Sequence, residues 1–83
     1  MNKVFVSIYV PTIEEKYDVW LPLNKSVYHT IQLLVKSVRE ITKGEYRPTK
    51  MPMLYDKFTS EEYDINSCII DTGIRNGTEL IMI

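Results

Sequence analysis

The chain has one imidazole, His29, and one thiol, Cys68. An imidazole binds metal or moves protons only with a second ligand or a catalytic partner in reach, and at helical spacing His29 has Gln32 and Leu33 for neighbours. This reads as a solvated surface histidine. Cys68 stands beside Ile69 with no histidine or basic group near it in sequence, so nothing visible lowers its pKa. It reads as a small packed residue. The acidic pairs Glu14-Glu15 and Glu61-Glu62 are adjacent in sequence, and adjacent residues of an extended strand point to opposite faces, so neither pair converges on a substrate. The three glycines, at 44, 73 and 77, have neither phosphate-loop nor dinucleotide spacing. No catalytic, cofactor-binding or metal-binding residue emerges, and an enzyme is not expected. One basic feature stands out. Lys36, Arg39 and Lys43 fall at helical offsets that let them point the same way, diluted by Glu40. Phosphate backbones are held by about 6 to 10 such contacts, so a small nucleic-acid-binding module with aromatics stacked beside these cations is the alternative, not the favoured, reading.

These residues belong to a chain of 83 residues, short enough for a single domain spanning 1–83. Ten Lys plus Arg against eleven Asp plus Glu give a net charge of −1, so no general basic field gathers nucleic acid or anionic lipid. A charged fraction of 25% beside 45% hydrophobic residues is that of a folding chain. A lone cysteine excludes an internal disulfide and a multi-thiolate zinc or iron–sulfur site, and a reducing compartment is its simplest home. The opening run MNKVFVSIYV is interrupted by Ser7 and closed by Pro11. No stretch approaches the roughly 20 apolar residues of a membrane span. A cytoplasmic location without direct membrane insertion is therefore expected.

Lys3 to Val10 alternates strictly, with Val4, Val6, Ile8 and Val10 on one side and Phe5, Ser7 and Tyr9 on the other, which predicts a strand. Pro11 and the acidic residues after it make a turn into a second alternating run, with Tyr17, Val19 and Leu21 opposite Asp18 and Trp20. The two form an antiparallel hairpin. Between Asn24 and Thr42 the period changes: Val27, Ile31, Leu34, Val35, Val38 and Ile41 make one stripe of an α-helix, capped by Ser26 and ended by Gly44 in the left-handed conformation. A Pro-rich loop follows from Glu45 to Pro52, then a short strand at Met53 to Tyr55, a turn with a minor strand from Asp56 to Asp64, and an apolar turn at Ile69-Ile70. The Asn76-Gly77 pair leads to a last strand from Thr78 to Ile83.

Strand, strand, helix, short strand and strand in so few residues make an α+β fold, with one helix on one face of a mixed four-stranded sheet. The compact solution is a β-grasp with the first and last strands parallel at the centre. In IIDTGIRNGTELIMI, the apolar residue five before Ile74 and the Leu six after it resemble the last turn and strand of ubiquitin. The segment TGIRNGTELIMI is similar to the ends of the small bacterial YukD and EsaB proteins, which accompany the type VII (WXG100) secretion system of Gram-positive bacteria. The resemblance implies a ubiquitin-like fold and an accessory, non-catalytic role. The last strand runs to Ile83 without the two-glycine tail that conjugation needs, so a protein modifier is not expected.

If Val4, Val6, Ile8, Val19, Leu21, Leu80 and Met82 pack on the helix, then Phe5, Tyr9, Trp20, Ile81 and Ile83 must point away from it. A single helix cannot cover both faces. The expectation is a contiguous apolar surface on the order of several hundred Å², fit for a protein partner such as a cytosolic domain of secretion machinery, or for self-association as a dimer. The alternative is internal cover, with the loop from Gly44 to Pro52 laying Tyr46 or Met51 across that face.

Overall fold

The computed structural model describes residues 2–83. The alternation of the first strand is realised residue by residue: β1 spans Lys3–Val10, with Val4, Val6, Ile8 and Val10 buried and the residues between them half-buried or exposed. Pro11 cannot continue the ladder, and Pro11–Ile13 form a short 3-10 turn that Glu14 leaves at a φ of 53°. β2, Glu15–Pro22, returns antiparallel with Phe5 opposite Trp20 and Ser7 opposite Asp18.

α1 spans Val27–Ile41. The Ser26 side chain accepts from His29 N–H at 3.0 Å and so satisfies one of the unpaired amides of the first turn. The buried stripe is Val27, Thr30, Ile31, Leu34 and Val38, with Val35 half-buried. Ile41 departs from expectation: it is 60% exposed. The core at that end is instead closed by Tyr46, which is buried with Val38 and whose N–H donates to Thr42 Oγ1 at 3.0 Å. The helix end also differs. Gly44 N–H donates to the Arg39 carbonyl at 2.8 Å and Lys43 N–H to that of Glu40 at 3.2 Å, so Lys43 is the first left-handed residue, at φ 55°, and Gly44 is the second, at φ 83°.

β3 is Leu54–Asp56 and β4 is Glu79–Met82, giving the sheet order β2-β1-β4-β3 with β1 and β4 parallel at the centre. Met53 and Ile83 exchange backbone hydrogen bonds at 2.9 and 3.1 Å, one residue beyond the named strands. The minor strand expected between Asp56 and Asp64 is a single bridge between Tyr55 and Glu62, and the apolar turn is the 3-10 turn Ile69–Asp71. This is the ubiquitin-like β-grasp arrangement, with its core between α1 and one face of the sheet.

Candidate interaction surface

The far face of the sheet carries, along β1, Phe5, Ser7 and Tyr9. Register then fixes their neighbours. Phe5 lies beside Trp20, and Ser7 lies between Asp18 and Glu79. Tyr9 lies between Lys16 and Ile81, which itself faces Tyr55. The rows are thus apolar, polar and then largely apolar, with Lys16 at the outer end of the third.

The middle row is tied together. Ser7 Oγ donates to Asp18 Oδ1 at 2.6 Å, and Glu79 Oε1 lies 3.4 Å from Lys57 Nζ and 3.9 Å from Lys16 Nζ. The face is therefore not the single contiguous apolar surface expected above. Trp20 and Phe5 make one apolar corner, and Tyr9, Ile81 and Ile83 belong to another, with the polar row between them. Sequence alternation places side chains on a face but not in rows, and the rows come from a pairing between β1 and β4 some seventy residues apart.

At the first corner the Phe5 and Trp20 rings stand 4.9 Å apart, centroid to centroid, tilted by 52°. The separation lies within the range in which aromatic rings attract one another, in a tilted arrangement between stacked and edge-on. Phe5 is 39% and Trp20 52% exposed, so the pair is not covered by its own chain. At the second corner Ile81 and Tyr9 are half-buried and Ile83 is exposed. Met53 and Tyr55 extend this corner and were not singled out from sequence. Their positions flanking Leu54, which is fully buried, are the signal that finds them.

The loop after α1 leaves the Phe5–Trp20 corner of this face exposed. Tyr46 enters the core on the helix side, and Met51 packs against that same core. The rest of the loop walls an open groove of about 600 Å³ with Thr12 and Ile13, floored by Met53, Tyr55 and Ile83, and so flanks the second corner. Beyond β3, Asp56 Oδ1 accepts from Phe58 N–H at 2.8 Å and Thr59 N–H at 2.9 Å, which builds a tight turn projecting Phe58, 75% exposed. Those two amides, Thr59's first, hold the Asp56 carboxyl below its usual range. Tyr63, buried against the same carboxylate, has its phenol pushed up to about 12, mainly by burial.

Lys36, Arg39 and Lys43 are exposed on α1 and the residues after it. The Phe5–Trp20 pair lies on the opposite side of the sheet from this helix, so these cations and that pair do not share one surface. His29 is exposed and Cys68 half-buried, and among the described residues no three His, Cys, Asp or Glu side chains cluster as metal ligands. No helix among the described residues is long and apolar enough to cross a membrane.

No protein-family model and no curated protein matches the sequence. Solved structures do match the fold. The ubiquitin-like domain of the Mycobacterium tuberculosis type VII secretion system protein ECCD1 superposes with a TM-score of 0.78 at 16% identity, over 100% of this chain and 99% of that one. A chain of an ESX-5 inner membrane complex gives 0.79 at 17% identity, and this chain spans only 21% of that chain's length. A chain of a toluene 4-monooxygenase complex gives 0.68 at 12% identity, over 98% of this chain. At such identities the likeness is one of fold.

Proposed function

We propose that the chain is a non-catalytic, ubiquitin-like protein-interaction module, an accessory component of a type VII (WXG100) secretion system in Gram-positive bacteria, akin to the YukD and EsaB proteins. It works in the cytoplasm, docking a cytosolic domain of the membrane machinery through the far face of its sheet. The observation that carries the docking role is the exposed Phe5–Trp20 pair. Two aromatics in ring contact on a sheet offer a rigid apolar anchor, and Trp is among the residue types that dominate binding energies. The secretion setting draws its support from the likeness to the ECCD1 domain and to the ESX-5 complex chain.

The test is crosslinking of a tagged copy in a host that carries the secretion genes, followed by identification of what is bound. The expected result is a cytosolic domain of the machinery, lost with Trp20→Glu at a binding cost of about 2 kcal/mol or more. Because Trp20 is half exposed, the variant should still fold, which circular dichroism checks. Recovery of no secretion component, or full binding by a folded Trp20→Glu chain, overturns the reading.

A further inference from the structure

The two edges of the sheet are not alike. At β3 the Leu54 carbonyl accepts from Tyr63 N–H at 3.0 Å and Asp56 N–H donates to the Glu61 carbonyl at 2.9 Å, so the following segment closes that edge. At β2 the situation is the reverse. Phe5 N–H and Ser7 N–H donate to Asn76 and Thr78, so the odd residues of β1 bond toward β4 and its even residues toward Leu21, Val19 and Tyr17. Lys16, Asp18 and Trp20 then turn their backbone groups outward, and β2 is an outermost strand. Among the described residues no other segment pairs there. Among the described residues β2 is the one open strand edge, eight residues long.

Such edges are templates for another strand unless charge blocks them. Here the edge charges alternate in sign, Lys16 then Asp18. We propose that this edge is occupied by β2 of a second copy, antiparallel, with Tyr17 facing the copy's Tyr17 and Lys16 facing the copy's Asp18. In that register the two Lys–Asp pairs are hydrogen-bonded pairs that exchange about four backbone bonds across the join. The neighbouring registers lose this match: one sets Asp18 against Asp18, another Lys16 against Lys16, and a third sets Asp18 against Trp20 with no cation opposite it. The two-fold axis stands perpendicular to the sheet, so both helices lie on one side. Assembly stops at two because β3 is closed.

Strand pairing alone buries far less than the roughly 1,200 Å² of a stable interface, so the dimer is weak and concentration-dependent. It leaves both Phe5–Trp20 corners on one face of an eight-stranded sheet and does not depend on the docking proposed above. Sedimentation of the full chain up to about 1 mM tests it. The parent should shift from monomer to dimer mass, and Lys16→Glu and Asp18→Lys should each remain monomeric. An equimolar mixture of the two variants should recombine as a dimer, since each then meets opposite charges. The double change Lys16→Asp with Asp18→Lys should dimerise by itself, which guards against one variant being misfolded. A monomeric parent, a Lys16→Glu chain that dimerises as well as the parent, or a mixture that stays apart overturns the inference.

Discussion

Phe5 N–H donates to Asn76 Oδ1 at 2.8 Å, while the Phe5 carbonyl accepts from Gly77 N–H at 2.8 Å. The turn before β4 thus serves as a surrogate strand, satisfying both backbone groups of Phe5 where the parallel ladder, which begins at Ser7 and Glu79, has not yet started. It also leaves Phe5 and Trp20 as a non-hydrogen-bonded pair, in which facing side chains approach most closely. Asn76→Ala removes the acceptor and should cost about 1 kcal/mol, read as a lower denaturant midpoint with an unchanged slope.

The contrast between Ile31 and Ile41 tests where the core ends. Ile31 is fully buried and Ile41 is 60% exposed, although both belong to the same helical stripe. Ile31→Ala should cost about 2 to 5 kcal/mol by leaving a cavity, and Ile41→Ala about 0.5 kcal/mol or less. Equal costs from parallel denaturation curves would refute this placement of the core.

Lys43 pays a backbone penalty at φ 55° that glycine avoids. Lys43→Gly should therefore stabilise the fold by about 0.5 to 1 kcal/mol, after allowance for the freer unfolded chain. Thermal denaturation measures it. A loss of stability would show that the Lys43 side chain contributes more than its backbone strain.

Two groups make stability depend on pH with opposite signs. The Tyr63 phenol has its pKa raised from 10.0 to about 12, so between those values the folded chain holds a proton that the unfolded chain has released. Its contribution is complete below about pH 10 and is lost as pH rises through about pH 12. Asp56 is lowered from 3.8, so its contribution is present above that value and is lost as pH falls below it. Denaturant midpoints followed across pH should show both limbs. Tyr63→Phe should flatten the alkaline one, and Asp56→Asn, which keeps the turn's acceptor oxygen, the acid one.

Local physics was legible in the sequence. The span of β1, the Ser26 cap and the inward set Val4, Val6, Ile8, Leu21, Leu80 and Met82 all follow from period and residue type, because each is decided within a few residues. What the sequence left unread is set by long-range register. Ser7, Asp18, Glu79 and Lys57 become one row only when β1 has met β2 and β4, and β4 has met β3. Likewise Ile41 continues the helical period, but Tyr46 fills that end of the core from a loop whose path no periodicity predicts. The Lys16 and Asp18 edge becomes visible only once the strand order is known.

The parallel pairing of β1 with β4 at the centre of the sheet puts Lys3 and Met82 at opposite poles of the molecule. Tension applied between those poles pulls the two strands past each other along their length. The hydrogen bonds joining them are then loaded together, in shear, instead of being unzipped one by one.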